Sequence, residues 1–389
     1  MIYSFGARNF FSFHEGMKVS LELNSKVPRS LSGGLKASTV LGIKGPNASG
    51  KSNVLKCISF LVSFISDSFS WEPRFGLRFD PFFKSEEDSE FYMDFDVEGV
   101  RYIYELVANH NFVVREALYK KVLRKTRLFE RRKNELVYRV SELEELDYVE
   151  MKDNSSLIST AVMYKFKNGF LDFENIVKRL SNVQGNVYSG DVISNRFINV
   201  SWASKYYRDN PDAFVFVKDI VKKSDLGISD IEIHESINSN GDKEFFPVFM
   251  HNTDCGPSEN RWLTAWDESR GTIALYNSLC MYWDVLQTGG LLLLDEFDVH
   301  CHSMLLPRLV GLFLRKETNP HNAQFMFTAH STEIMDVLGK YRTLLVAKEK
   351  SESYCYRLDE IPGDLIRNDR SLSALYREGK IGGIPHYDD

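Results

Sequence analysis

Eight consecutive residues, Gly45-Pro46-Asn47-Ala48-Ser49-Gly50-Lys51-Ser52, fit the pattern GxxxxGK[ST] and are the first candidates for chemistry. The glycines let the backbone curl so that its N–H groups point inward on a β-phosphate, and the start of the following helix adds positive potential. Lys51 supplies a point charge for the β- and γ-phosphates, and the Ser52 hydroxyl can ligate Mg2+. A second candidate lies where the apolar run Leu291-Leu292-Leu293-Leu294 ends in Asp295-Glu296. Residues at the carboxyl end of such a strand face the ligand crevice of a parallel sheet. There Asp295 can hold Mg2+ through water, and Glu296 can polarise a water in line with the γ-phosphate.

Two further segments carry weaker signals. Glu268-Ser269-Arg270-Gly271-Thr272 opens a helix whose Leu275, Leu279, Tyr282 and Leu286 share one face. N–H groups at such a start attract anions, and a plain polar turn is the even alternative. Gln324–Thr328 is a short strand ending at Ala329-His330-Ser331, which puts His330 where it could sense a γ-phosphate. His300-Cys301-His302 does not read as a zinc site, because residues i and i+2 do not share a helix face and no second Cys/His cluster stands nearby.

The elements that must position these groups follow from hydrophobic periodicity. Residues 1–13, 18–23 and 39–44 read as strands, and 51–69 as a helix with Val54, Leu55, Ile58, Leu61, Val62 and Ile65 on one stripe. Strict alternation over 90–123, turned at Glu98-Gly99, gives an antiparallel meander. Residues 150–265 pattern mostly as helix, including 205–223, with no sustained heptad repeat. From Thr272 onward helices and short apolar strands alternate. The expected fold class is α/β: a mixed β-sheet flanked by helices, an antiparallel β-meander subdomain and a mainly helical insert. The expected parts are 1–134, 135–260 and 261–389.

Composition bounds the function. The 389 residues carry 48 Lys+Arg against 54 Asp+Glu, a net charge of −6, which speaks against a globally basic nucleic-acid coat. Residues 120–133 nevertheless hold eight Lys/Arg and one acid, so a stretch of +7 sits in a remainder of −13. Five scattered cysteines without a CxxC pair point to a reducing cytoplasm. The N-terminus shows no signal-peptide pattern, and no apolar run approaches the roughly 20 residues of a membrane span. A soluble, cytoplasmic protein without membrane contact is expected.

The order of motifs has a family likeness. Asn9-Phe10-Phe11-Ser12-Phe13 resembles the NFxSF strand that opens RecF-like and OLD-like ABC ATPases. Gly45–Asn53 resembles their Walker A, Ser269-Arg270-Gly271-Thr272 the divergent signature SxGT, 291–298 Walker B with its D-loop, and 327–331 the switch-histidine segment. Within that superfamily the chain is similar to AAA-family ATPases of bacterial anti-phage and abortive-infection systems, of the RloA/AbiL and retron or Septu PtuA kind. Residues 223–228, 370–372 and 376–385 extend that likeness.

The resemblance implies an ABC-type P-loop NTPase head that binds ATP with Mg2+ and closes as a homodimer or larger oligomer. Residues 45–53 would contact the nucleotide, Asn53 included; Ser52 and Asp295 would hold the metal; Glu296 and His330 would be catalytic. Ser269, Gly271 and Thr272 of one subunit would cap the γ-phosphate held by Lys51 of the other. Two departures stand out. The Q-loop glutamine has no evident counterpart, the only glutamines being Gln184, Gln287 and Gln324, and Arg270 replaces a smaller residue. Only 58 residues follow Ser331, too few for a nuclease domain, so the resemblance assigns attack to a separately encoded effector nuclease or toxin. The main alternative is a RecF-like repair ATPase gripping duplex DNA through 120–133, with a solvated hairpin as the bland reading of that stretch. An importer subunit and a self-sufficient nuclease are lesser alternatives.

Overall fold

The computed structural model describes the chain except for residues 26, 165, 167–169, 188–198, 226, 238–240, 253–260, 300–302, 363–364, 367–369 and 385–389. His300-Cys301-His302 lies outside the described residues. Strand β1 (Ile2–Arg8) pairs with β2 (Met17–Ser20); a single turn, α1 (Arg29–Ser32), then leads to β3 (Val40–Lys44) and α2 (Lys51–Asp67). Five antiparallel strands follow: β4 (Ser89–Val97), β5 (Val100–Ala108), β6 (Val113–Lys121), β7 (Lys125–Arg132) and β8 (Glu135–Arg139). Next come α3 (Leu157–Val162), α4 (Leu171–Leu180), β9 (Val183–Gly185), α5 (Val200–Asp209) and α6 (Pro211–Ser224). The hairpin β10 (Ile228–Ile237) and β11 (Lys243–His251) is extended by β12 (Trp262–Thr264) into a three-stranded sheet. Helix α7 (Arg270–Thr288), β13 (Leu291–Leu294), α8 (Leu306–Leu314), β14 (Gln324–Thr328), α9 (Ile334–Leu338), β15 (Thr343–Glu349), β16 (Glu352–Arg357) and α10 (Leu372–Arg377) complete the order.

The central sheet runs β16-β15-β3-β14-β13-β9, parallel throughout except for the β16 edge. Its inner strands are continuous apolar runs because both faces are covered, as a parallel sheet requires. Leu291 and Leu293 face one core while Leu292 and Leu294 face the other, and Met326 is opposed in the same way by Phe325 and Phe327. The first core holds α2, α3, α4 and the seven-stranded antiparallel sheet β2-β1-β4-β5-β6-β7-β8; the second holds α5 to α8.

Helix α2 packs against β1 and β4 of the antiparallel sheet and also against β13 and β14 of the central sheet. It therefore buries more than the single stripe expected, with Cys57, Phe60 and Phe64 interior as well. The single helix expected over 205–223 is two, since Pro211 stands at the first position of α6 and forces a break at Asn210. Residues 135–260 are helical through α3 to α6 and also carry β8, β9 and the β10–β11 hairpin. Among the described residues no helix is long and apolar enough to cross a membrane.

Candidate functional site

The loop 45–50 connects the carboxyl end of β3 to the start of α2, and its shape depends on two glycines. A Cβ on Gly45 would lie 2.1 Å from the Val346 carbonyl oxygen. Gly50 is the N-cap of α2 at φ +104°, and a Cβ there would lie 2.7 Å from both Ser12 Oγ and Ser353 Oγ. Those two serines buttress the loop from outside. Ser353 Oγ donates to the Ser49 carbonyl at 2.7 Å and accepts from Ser12 Oγ at 2.7 Å, and Asn53 Nδ2 donates to Ser12 Oγ at 2.8 Å. The NFxSF segment thus acts on the loop through Ser12. Asn53, grouped above with the nucleotide contacts, spends its amide on that buttress.

Lys51 is buried and donates to the carbonyls of Gly45 at 3.0 Å and Pro46 at 2.8 Å. Burial lowers its pKa, while Asp295, Glu296 and Asp298 pull it back up, so the ammonium lies in the field of the carboxylate cluster. The Ser49 hydroxyl is buried in the loop and has no hydrogen-bond partner among the described residues. An orphan hydroxyl, a buried ammonium and a curled backbone fit a triphosphate tail. Ser52, one residue into α2, and Asp295 supply the hard oxygen donors that Mg2+ prefers.

Strands β13 and β14 are parallel neighbours with Leu294 opposite Phe327, so their carboxyl ends open beside each other. Thr328 Oγ1 donates to Asp295 Oδ1 at 2.5 Å and accepts the Glu296 N–H at 2.8 Å. Glu296 adopts φ +52°, a conformation an L-residue reaches only at a cost of roughly 1–3 kcal/mol, and this turn projects its carboxylate outward. Its Oε1 stands 3.9 Å from His330 Nε2, with the His330 and Glu296 side chains 46% and 62% exposed respectively. The backbone around His330 is held by Asp298, whose Oδ2 accepts the His330 N–H at 2.7 Å, and by Lys44, which donates to the Ala329 carbonyl at 3.1 Å.

Lys44 and Asn186 escaped the sequence reading as site components, and Asp298 and Thr328, inside the 291–298 and 327–331 segments, were given no role of their own there. Asn186 follows β9, accepts the Asp295 N–H at 2.7 Å and donates to the Asp295 carbonyl at 2.9 Å. Gln184 lies on β9, directly beside β13, with its amide donating to Asp284 of α7 at 3.0 Å. The signal was present as a short Val-Gln-Gly-Asn run, too brief to read as a strand without its partner.

Ser269 caps α7: its hydroxyl accepts the Thr272 N–H at 3.1 Å. Thr272 Oγ1 donates to Asp225 at 3.3 Å, and Glu268 accepts from His251 at 2.5 Å and from the Ser269 N–H at 2.9 Å. Among the described residues no hydrogen bond or ion pair joins 269–272 to the 45–53 loop. The stretch 120–133 is less basic in space than in sequence. Lys120 pairs with Asp172, Lys125 with Glu105, and Arg127 and Arg132 with Glu130. Arg131 is fully buried on Glu116 at 2.6 Å. Lys121, Arg124 and Lys133 are left without a carboxylate partner among the described residues.

Residues 40–336 match the family model described as AAA domain, putative AbiEii toxin, Type IV TA system. No curated protein matches the chain. Similar solved structures include the SMC head domain from Thermotoga maritima, at 15% identity and TM-score 0.45 over 92% of this chain and 98% of that one. Another is the Smc head domain with a coiled coil and joint from Pyrococcus yayanosii, at 11% and 0.44 over 97% and 99%. A third is the Smc head domain with an extended coiled coil bound to the C-terminal domain of ScpA from Pyrococcus furiosus, at 13% and 0.42 over 92% and 97%.

Proposed function

The chain belongs to the AAA-domain family described as putative AbiEii toxin, Type IV TA system, and from that premise we propose that this ATPase is the sensor of a defence system, controlling a separately encoded nuclease or toxin by closing as a dimer around ATP. The observation that carries this reading is the Glu296–His330 pair, 3.9 Å apart at the ends of adjacent strands and open to solvent. A pair that activates water for attack on a phosphate works in a site that excludes bulk water. The chain supplies no cover over that pair among its described residues, whereas a second head would bring Ser269, Gly271 and Thr272 onto it.

In this reading Lys51 holds the β- and γ-phosphates, and the loop N–H groups and Ser49 orient them. Ser52 and Asp295 hold Mg2+, which when bound neutralises phosphate charge. Glu296 accepts a proton from the attacking water, and His330 stands beside it to contact the γ-phosphate. Thr328 orients the Asp295 carboxylate, while Asn186 and Thr328 hold the backbones of Asp295 and Glu296 respectively. The toxin in the family description and the resemblance to anti-phage ATPases support the defence role.

Two substitutions test the site. Lys51→Ala is expected to abolish ATP binding in a titration with labelled nucleotide, and Glu296→Gln to keep binding while stopping turnover. ATP turnover surviving both would show that the site is elsewhere. The regulatory role is tested by purifying the chain together with the product of its neighbouring gene. A complex whose effector activity changes with ATP is expected; no complex with or without ATP would refute it.

A further inference from the structure

We propose that Lys44 is a positioning residue for His330, gripping the histidine's backbone jointly with Asp298 and tying it to the first residue of the phosphate loop. The inference rests on the assignment of Glu296 and His330 as the water-activating pair. Lys44 ends β3 and immediately precedes Gly45. It is only 4% exposed, and a buried ammonium persists when its donors are satisfied. Its Nζ donates to the Ala329 carbonyl at 3.1 Å and also to the His330 carbonyl. From the other side Asp298 Oδ2 accepts the N–H of His330 at 2.7 Å and that of Ser331 at 2.5 Å.

Two peptide groups on either side of His330 are therefore fixed by opposite charges, the carbonyls by a cation and the amides by an anion. The cation comes from the strand that carries the phosphate loop, and the anion from the turn that follows Glu296. Both anchors reach His330 from segments that already belong to the site. A methionine at position 44 would fill similar space and leave both carbonyls without a donor, so His330 would lose its registration against Glu296 while the loop glycines and Lys51 stayed in place.

The test compares ATP turnover and ATP affinity in wild type, Lys44→Met, Lys44→Arg, Asp298→Ala and His330→Ala. Lys44→Met is expected to lower kcat by about tenfold or more with affinity changed by less than about threefold, the split that marks an interaction made for the transition state. Lys44→Arg should recover part of kcat, and Lys44→Met combined with Asp298→Ala should cost no more than the worse single change, since both act on one segment. Wild-type kcat in Lys44→Met, or a parallel loss of affinity and kcat, would overturn the proposal. If Lys44→Met does not fold, Asp298→Ala takes its place: a fall in kcat at retained affinity is expected, and wild-type kcat or a parallel loss of both would overturn the proposal. Unchanged turnover in His330→Ala would instead overturn the assignment of the catalytic pair on which the clamp rests.

Discussion

Thr328 serves both acids at the end of β13, donating to the Asp295 carboxylate and accepting the backbone N–H of Glu296. Thr328→Val keeps the shape and removes both bonds. A hydrogen bond to a charged group contributes about 1.5–3 kcal/mol, so kcat is expected to fall by roughly ten- to a hundredfold with ATP affinity retained, as single-turnover and binding assays would show. Lys44 makes a pH dependence. Burial pushes its ammonium from the ordinary 10.5 down to about 8, helped by Lys51 and opposed by Asp298 and Glu333. Between those values the unfolded chain binds a proton that the folded chain has shed, so this group's contribution to stability rises with pH across that window. The grip on His330 does the opposite and weakens as the charge is lost. Turnover is expected to decline as pH rises through about 8 in the wild type, and to lack that limb in Lys44→Arg, whose guanidinium stays charged. A rate–pH profile of the two proteins decides it.

At the scale of elements, the β6–β7 hairpin shows how charge in sequence becomes structure in space. Arg131 and Glu116 are both buried, and Glu116 also accepts from Tyr104, Ser156 and the Leu157 N–H. Arg131→Ala leaves that carboxylate uncompensated and is expected to destabilise the fold by about 3–5 kcal/mol in denaturant titration, whereas Lys121→Ala and Arg124→Ala should change it by less than about 0.5 kcal/mol. Any duplex binding by residues 120–133 therefore rests on Lys121 and Arg124 at the β6–β7 turn and Lys133 at the β7–β8 turn, not on the whole stretch. Strands β1 to β6, α2 and the loop were legible in the sequence because their signals are local, namely alternation, a helical stripe and a glycine-bounded motif, whereas the β10–β11 hairpin fell in a region read as helix. Asn186, Asp298 and Lys44 were not legible, since each meets its partner across 109, 32 and 285 residues respectively. Pro211 was local and still misread, because the helical pattern resumes on both sides of it.

At the scale of the whole molecule, the parallel strands β3, β14 and β13 deliver the loop, His330 and the two acids to one edge of a sheet buried on both faces. The architecture is buttressed behind the site and open in front of it. Segment 268–272 is fixed by its own cap and by Asp225 and His251, and in the proposed function it meets the nucleotide held by another subunit's loop. Closure by a second head would complete the site, and hydrolysis would reopen it. The particle mass of Glu296→Gln with and without ATP tests this most directly. A monomer mass is expected without nucleotide and twice that mass with ATP, lost again on adding Ser269→Arg; a particle that binds ATP and stays at the monomer mass would contradict closure by a second head.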